Sequence, residues 1–462
     1  MSGQKNAGRT YEIDMCSGPL FSKIVLFAIP LMASGVLQLL FNAADMIVVG
    51  RFAGSESLAA VGATSSLVNL IVNVFIGLSV GANVLVAQYY GAQKKRDLEE
   101  TVHTSMLVAL LGGCILIVIG EILAPPLLRL MGTPDDVLPL SVLYLRIFFV
   151  GMPVNLGYNF GSAILRAVGD TRRPLYFLLT AGIINVVLNL FFVIVFHMGV
   201  AGVAVATVIS QAVSAVLIVQ CLMRSDADYR LDVKKLRINS HKMGMIIKIG
   251  LPAGLQGTVF SISNVLIQSS VNSFGSVAMA GNTAAQNIEG FVYTAMNAVY
   301  QTALSFTSQN YGARNFKRIT RIQVYCIGLV IFIGAALGWG AVMAGSQLLG
   351  IYSSDAEVIQ YGLNRLKIIA TTYFICGMMD VMVGGLRGLG ASIVPMIVSL
   401  LGACAFRVVW IFTIFQASRT LQTLYLSYPV SWTITLMAHV VTYVLIRNHL
   451  QKKTFDKSFG TH

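Results

Sequence analysis

The chain has 462 residues, of which 56% are hydrophobic and only 11% are charged. A soluble domain usually carries about 25% charged residues, so most of this chain cannot face water. Its apolar residues form uncharged runs of more than about 20 residues, each long enough to cross a bilayer as a helix. The composition excludes a soluble enzyme, a disordered protein and a nucleic-acid-binding domain, although the formal net charge is +13.

Twelve apolar segments predict an all-α integral membrane protein. Proline interrupts three of them, at Pro30, Pro153 and Pro252, and each proline removes one backbone hydrogen bond and favours a kink. We expect Pro30 to act as a hinge in the first span. The predicted segments lie at about 20–48, 58–88, 101–128, 137–164, 174–197, 199–223, 243–272, 277–308, 320–350, 357–386, 393–416 and 421–446.

The basic residues predict how the spans are oriented. If the N-terminus lies in the cytoplasm, the inward loops hold 25 of the 32 lysines and arginines. The outward loops hold six, among them Arg365, and Arg407 lies within a span. This bias predicts an inner-membrane protein with both termini in the cytoplasm. The first 22 residues lack an apolar core, so we expect no cleavable signal peptide.

The chain contains an internal repeat at an offset of about 221 residues. The motif QYYGA at 88–92 matches QNYGA at 309–313, and LRAVGDTRRP at 165–174 matches LRGLGASIVP at 386–395. Each half has six spans, an even number, so the two halves have the same orientation and form two bundles around a central cavity. The predicted divisions are a tail at 1–19, an N-lobe at 20–223, a linker at 224–242, a C-lobe at 243–447 and a tail at 448–462.

Three carboxylates, Asp45, Glu289 and Asp380, fall well inside predicted spans. A charged group near the bilayer centre is costly unless it faces protein or water, and it usually marks an ion, proton or substrate site. We therefore expect Asp380 and Glu289 to bind an ion or substrate in the C-lobe. The alternative is an ion pair that only holds helices together, for which Arg407 is a candidate partner.

Asp45 shares its half of the chain with Asn185, Asn189 and Thr207. The two asparagines are four residues apart and lie on one helix face. One carboxylate with amide and hydroxyl oxygens is a hard-oxygen set that suits Na⁺, whereas a carboxylate alone suits H⁺. We predict an ion site at these four residues and no tightly bound cofactor. Interhelical hydrogen bonding by the asparagines is the alternative.

The entry segment FAIPLMASGVLQLLFNAADMIVVGRFAGSESLAAVGA and the paired motifs together resemble the multidrug and toxic compound extrusion (MATE) family, over about residues 18–447. The resemblance implies two six-helix bundles in a V, and export of organic, often cationic and aromatic compounds driven by Na⁺ or H⁺. It implies an N-lobe ion site that includes Asp45, Asn185 and Thr207, and a C-lobe role for Asp380. Some members carry Asp where this chain has Asn189.

The resemblance is less complete in the C-lobe. Many members place Glu in the seventh helix, where this chain has none, and Glu289 in the eighth is the nearest substitute. A cationic cargo would suit Asp380 and Glu289, with aromatic residues stacking on it. Candidates for the cavity wall are Phe41, Tyr158, Phe291, Tyr293 and Tyr373.

We therefore expect a monomeric exporter of small organic molecules that lies in the lipid bilayer, has no nucleic-acid partner and is not an enzyme. One alternative is a lipid-linked oligosaccharide flippase, which would need a basic cavity for pyrophosphate. Arg407 is the one basic residue predicted deep in a span, which argues against it. A second alternative is an integral membrane enzyme, but the sequence shows no recognisable catalytic dyad or metal-type histidine pair.

Overall fold

The computed structural model describes residues 11–459 and contains no strand in that range. Twelve helical rods follow one another, close to the predicted segments. They are α1 (Leu20–Val48), α2 (Ser55–Gly91), α3 (Lys95–Leu130), α4 (Leu138–Val150 and Met152–Ala167), α5 (Arg172–Leu190), α6 (Gly199–Met223), α7 (Ser240–Asn272), α8 (Ser276–Gly312), α9 (Phe316–Met343), α10 (Ala356–Gly388), α11 (Ile393–Ser399, Leu400–Ala405, Phe406–Phe412 and Ile414–Ala417) and α12 (Leu421–Phe459).

Several of the twelve helices are extended by π-helical turns or interrupted by a bend. A π-helical turn at Val49–Ala53 extends α1, and another at Phe191–Val195 extends α5. The two parts of α4 meet at an angle of 49°. Gly151 separates them and Pro153 lies in the first turn of the second part, so the predicted proline kink falls at this bend. The short helix Gly345–Gly350 follows α9.

Among the described residues, ten helices are long and apolar enough to cross a membrane, and the bent α4 makes eleven. The remaining predicted span, α8, is less apolar and is not among these eleven. This helix carries Asn282, Thr283, Gln286 and Asn287 beside Glu289. Most of its side chains are buried, and it packs against α1, α2, α9 and α10. A helix covered by other helices does not need an apolar surface. Asn282 and Glu289 are buried in this packing, whereas Thr283 and Asn287 are exposed.

The two repeats meet at the end of the molecule where Lys94 and Arg314 lie, which we call the basic end. A Cβ atom on Gly91 would lie 2.0 Å from the Gln309 carbonyl oxygen, and one on Gly312 would lie 1.9 Å from the Gln88 carbonyl oxygen. The paired YGA motifs therefore cross backbone to backbone. Only glycine permits so close an approach, which explains why both copies of the repeat keep it.

The helices α2 and α7 form a second close contact between the halves. Gly77 and Gly81 of α2 face Gly250 and Gly254 of α7, and a Cβ atom on Gly254 would lie 2.7 Å from the Val74 Cα atom. Small residues let two helices approach closely, and close packing gives dispersion contacts where the membrane supplies no hydrophobic force. These contacts join the two bundles, α1–α6 and α7–α12.

The segment before α1 connects both bundles at the basic end. The Ile13 amide donates a hydrogen bond to the Gly169 carbonyl at 3.0 Å, between α4 and α5. The Arg318 guanidinium of α9 donates from Nε to the Met15 carbonyl at 2.9 Å. Gly169 has φ of 104°, and a Cβ atom there would lie 2.3 Å from the Ile13 carbonyl oxygen, so this site requires glycine.

Glu12 in the same segment accepts hydrogen bonds from the Tyr229 and Tyr90 hydroxyls, the latter at 3.2 Å. Burial, together with the Glu12 carboxylate, raises the pKa of Tyr229 to about 12. The phenol therefore stays protonated and donates at any physiological pH. Tyr229 belongs to the segment between α6 and α7, so Glu12 ties that segment to the start of the chain.

Candidate functional site

The four residues predicted to form the N-lobe ion site lie together. Asn189 Nδ2 donates a hydrogen bond to Asp45 Oδ1 and lies 3.2 Å from Asn185 Oδ1. Asn185 Nδ2 donates to Thr207 Oγ1 at 3.4 Å. The hydroxyl of Thr207 donates to the Val203 carbonyl, which turns its lone pairs toward the asparagines. The cluster joins α1, α5 and α6.

The donor set of this cluster suits a monovalent ion. The Oδ1 atom of Asn189 is buried without a hydrogen-bond partner among the residues that the structure describes, which is unusual for a buried polar atom and leaves an acceptor free for a cation or water. Asp45 is half-buried and supplies the single carboxylate. No group of three or more His, Cys, Asp or Glu side chains that could hold a metal ion occurs among the described residues. A divalent site usually needs more negative charge.

A cavity of about 510 Å³ opens beside this cluster in the N-lobe. Asp45 is the single acidic side chain among the described residues that line it, and Arg166 at the basic end of α4 is the single basic one. The remaining polar walls are amides and hydroxyls: Ser34, Gln38, Asn42, Asn155, Asn159, Asn185, Thr207, Ser210, Gln211, Ser214, Thr294, Asn297 and Gln301.

A second cavity, also of about 510 Å³, lies in the C-lobe and contains Asp380. Tyr293 and Asn297 of α8 line both cavities, so α8 forms the partition between them. An aromatic wall surrounds Asp380. The Tyr373 ring stacks on Trp432 with centroids 5.4 Å apart, and Tyr293 stacks on Tyr373 at 6.3 Å. Of the predicted aromatic candidates, Phe41 and Tyr158 line the N-lobe cavity and Phe291 lines neither.

Glu289 is not grouped with Asp380. Its two carboxylate oxygens accept hydrogen bonds from Arg365 Nε at 2.9 Å and Nη2 at 2.7 Å, and Arg365 Nη1 donates to Asn282 at 2.8 Å. Both partners are buried, with side chains 5% and 3% exposed. This bidentate pair joins α8 to α10, and Glu289 does not line the C-lobe cavity. This geometry matches the alternative interpretation of Glu289, an ion pair that holds helices together. The partner is Arg365, not Arg407.

Three arginines that line cavities or form buried contacts lie in α4 and α10. Arg365, which the sequence analysis placed in an outward loop, lies within α10, and Arg166 and Arg387 lie in the last turns of α4 and α10 at the basic end. Arg166 lines the N-lobe cavity, and Arg387 lines the C-lobe cavity beside Arg407. Arg166 and Arg387 lie at helix ends, so the expectation that Arg407 is the one basic residue deep in a span stays a prediction. The repeat relates two of these arginines, because Arg166 belongs to LRAVG and Arg387 to the matching LRGLG. The two residues therefore occupy equivalent positions in the two lobes.

Pro30 lies inside an unbroken α1. Proline has no amide hydrogen, so the carbonyl four residues earlier, that of Leu26, lacks its usual partner. The Ser34 hydroxyl donates to the Pro30 carbonyl at 2.8 Å. The first span therefore lacks one backbone hydrogen bond but stays a continuous helix. That Pro30 acts as a hinge remains a prediction.

Comparison with known proteins agrees with this architecture. The MatE family model matches the chain twice, at residues 30–191 and 252–413, so the two matches begin 222 residues apart and confirm the repeat. The chain is 30% identical over 401 residues to the probable multidrug resistance protein YpnP of Bacillus subtilis, covering 85% of this chain and 88% of that protein. It is 27% identical to the probable multidrug resistance protein YoeA of the same organism, covering 89% and 91%.

The fold also matches solved structures. A structure described as the outward-facing conformation of a multidrug resistance MATE family transporter superposes with a TM-score of 0.89 at 22% identity. The alignment covers 95% of this chain and 98% of that one. These transporters have twelve helices in two bundles, as the sequence predicted. The two matches to the family model, the full-length relatives and the shared fold show that this chain is a multi-pass membrane transporter, not an enzyme, and belongs to the MatE (multidrug and toxic compound extrusion) family.

Proposed function

We propose that this protein exports aromatic organic compounds from the cell in exchange for Na⁺ or H⁺. The observation that carries the proposal is the cluster of Asp45, Asn189, Asn185 and Thr207, which joins three helices beside a cavity and keeps one amide oxygen unpartnered. An ion bound there draws α1 toward α5 and α6, with the weakened turn at Pro30 absorbing the bend. This movement narrows the N-lobe cavity and, through α8, which lines both cavities, triggers release of the cargo.

In this scheme, residues 20–223 and 243–447 are the two lobes, joined by the linker at 224–242. The basic end faces the cytoplasm, as the distribution of basic residues predicts for a protein of the cytoplasmic membrane with both termini inside. The glycine contacts of α2 with α7 and α8 then close the cytoplasmic side, which corresponds to the outward-facing state. Each lobe carries its own cavity, so a monomer is sufficient for transport.

Alternating access requires the ion and the cargo to bind the two states unequally. Entry of one ion charge across 100 mV supplies about 2.3 kcal/mol, which supports a roughly fiftyfold concentration ratio of an uncharged cargo exchanged one for one. The site offers Na⁺ one carboxylate and three neutral oxygens, and it offers H⁺ the Asp45 carboxylate.

The structure alters the reasons for choosing among the alternatives. The flippase was disfavoured because only one arginine was expected at depth, and three arginines line the two cavities. The argument for export now depends on the family and on the N-lobe cluster. The prediction of a cationic cargo relied on Asp380 and Glu289, and it loses support because Glu289 is paired with Arg365.

The test is transport in vesicles that contain the purified protein and a fluorescent dye. A Na⁺ gradient, an H⁺ gradient or no gradient is imposed separately, with rhodamine 123 as a cationic cargo and fluorescein as an anionic one. We expect one of the gradients to accelerate efflux by about tenfold or more, and an ionophore that collapses the gradient to return efflux to the leak rate. The proposal fails if neither gradient drives efflux of either dye.

A further inference from the structure

The charge of the C-lobe cavity is opposite to that expected for a cation site. Its charged side chains, among the described residues that line it, are Asp380, Arg387 and Arg407. Two guanidinium groups against one carboxylate leave a positive excess. Arginine is protonated at any physiological pH and binds carboxylate and phosphate groups well. A cavity of this composition attracts an anion more strongly than a cation.

Arg407 is buried with most of its donors unused. Only 2% of its surface is exposed. Its Nε atom donates to the Ser431 hydroxyl at 2.9 Å, whereas Nη2 is buried without any partner among the described residues. No carboxylate forms an ion pair with it there, in contrast to Arg365, which is fully paired with Glu289. A buried charge without a counterion is unfavourable, so a partner from outside the chain would stabilise it.

Arg387 has partners but still contributes charge to the cavity. It donates to the Tyr300 hydroxyl at 2.7 Å and to Gln256 Oε1 at 2.8 Å, and both partners are neutral. The two hydrogen bonds hold the guanidinium in one orientation at the cavity wall without neutralising it. Arg387 therefore adds a fixed positive charge, and Arg407 adds the free donors.

The aromatic wall lies beside Arg407. The Arg407 guanidinium lies 4.3 Å from the Tyr428 ring centroid and 5.7 Å from the Trp432 centroid. Tyr428 meets Trp432 edge to face at 5.6 Å, and Trp432 stacks on Tyr373. Trp432 is only 3% exposed and Tyr373 already stacks on two rings, so the wall offers a planar ligand aromatic surface to pack against, next to cationic donors that would hold an anionic group on it. About 510 Å³ is room for a drug-sized molecule.

We propose that the C-lobe cavity binds aromatic organic anions, in which a carboxylate or phosphate pairs with Arg407 and a planar ring packs against the aromatic wall of the cavity. Asp380, on the same wall, accepts a hydrogen bond from a hydroxyl or amine of the cargo. This substrate class rests on the proposed export function and replaces the cationic cargo expected from the sequence.

The test is equilibrium binding to the purified protein without any gradient, followed by fluorescence anisotropy. Fluorescein and rhodamine 123 share a xanthene ring and differ in charge. We expect fluorescein to bind more tightly than rhodamine 123. Arg407→Gln should weaken fluorescein binding by about tenfold or more, since it removes a charge-assisted hydrogen bond, and should leave rhodamine 123 binding unchanged or stronger.

Two further variants keep the test decisive if Arg407→Gln does not fold. Arg407→Lys keeps the charge and should bind fluorescein with intermediate affinity. Arg51→Gln removes an exposed arginine outside the cavity and should leave both affinities as in the wild type. The proposal is overturned if rhodamine 123 binds more tightly to the wild type, if Arg407→Gln weakens both dyes equally, or if fluorescein does not bind.

Binding and transport separate the two proposals. Binding at equilibrium needs no ion gradient, so fluorescein binding without gradient-driven efflux would refute export and keep the anion site. Gradient-driven efflux of rhodamine 123 without fluorescein binding would support export and refute the anion site. Addition of inorganic phosphate or benzoate as a competitor identifies the part of the dye that is recognised. If benzoate competes and phosphate does not, the cavity recognises a carboxylate attached to an aromatic ring. If phosphate competes, the cavity recognises phosphate groups.

Discussion

The two lobes share a repeated backbone but differ in the chemistry of their cavity walls. Among the described residues, amides, hydroxyls, one carboxylate and one arginine line the N-lobe cavity, whereas stacked aromatic rings, two arginines and one carboxylate line the C-lobe cavity. At the repeat offset of about 221, Asp380 corresponds to Asn159, and Arg407 to Val186, the neighbour of Asn185. These differences at equivalent positions support the proposal that one lobe binds the ion and the other the cargo.

The largest expected effect is from Asp45→Asn. Asp45 is the single acidic side chain among the described residues of the N-lobe cavity, so the variant removes the charge that would bind the coupling ion. We expect gradient-driven efflux from vesicles to fall to the leak rate while fluorescein affinity stays within about twofold of the wild type, since no contact in the C-lobe changes.

Asp380→Asn is the matched variant in the other lobe. We expect it to change dye affinity and to leave the acceleration of efflux by the ion gradient in place. If Asp45→Asn kept full coupled transport and Asp380→Asn lost it, the roles of the two lobes would be reversed.

A smaller but measurable effect is expected at the buried pair in the C-lobe. Glu289→Gln leaves the Arg365 guanidinium buried without its counterion, and we expect the unfolding free energy in detergent to fall by about 3–5 kcal/mol. Glu121→Gln breaks the half-exposed pair with Arg146 at 3.4 Å and should cost less than about 1 kcal/mol. If Glu289→Gln left stability unchanged and altered dye affinity, Glu289 would belong to the binding site after all.

The comparison of the lobes also shows where sequence reasoning succeeds. Apolar length located all twelve rods, and the spacing of four between Asn185 and Asn189 correctly placed both side chains on one face. The repeat was visible because glycine is required where the YGA motifs cross. Each of these features depends on local periodicity or on a backbone position with one acceptable residue.

The failures concern long-range pairing. The partner of Glu289 lies 76 residues away in α10, and nothing local to Arg365 distinguishes a buried arginine from one that reaches the membrane surface. The packing of α8 between other helices could not be predicted from its polarity, because a hydropathy value depends only on the sequence of the helix and not on what surrounds it. The charge of the C-lobe cavity could not be predicted for the same reason, since it depends on where the ends of Arg387 and Arg407 lie.

The smallest effect is expected where the repeats pack on each other, and it tests which lobe is free to move. In α7, a Cβ atom on Gly254 would lie 2.7 Å from the Val74 Cα atom and 2.8 Å from its carbonyl oxygen, so Gly254→Ala must displace backbone. In α1, a Cβ atom on Gly35 would meet the tip of the Thr294 side chain, which can rotate away. We expect Gly254→Ala to lower stability by about 1–3 kcal/mol and Gly35→Ala by less.

Gly257→Ala is the control within α7, because a Cβ atom there has no neighbour within 4 Å and alanine favours a helix. Thermal unfolding in detergent measures all three variants, and cross-linking between the basic ends of α2 and α8 reports whether the lobes separate. A larger loss for Gly254→Ala would mean that α7 is fixed against α2 while its counterpart α1 packs more loosely. The proline turn of α1 would then be free to bend, and that of α7 would not. Equal losses at Gly35 and Gly254 would remove this reason for assigning the ion-driven movement to the N-lobe.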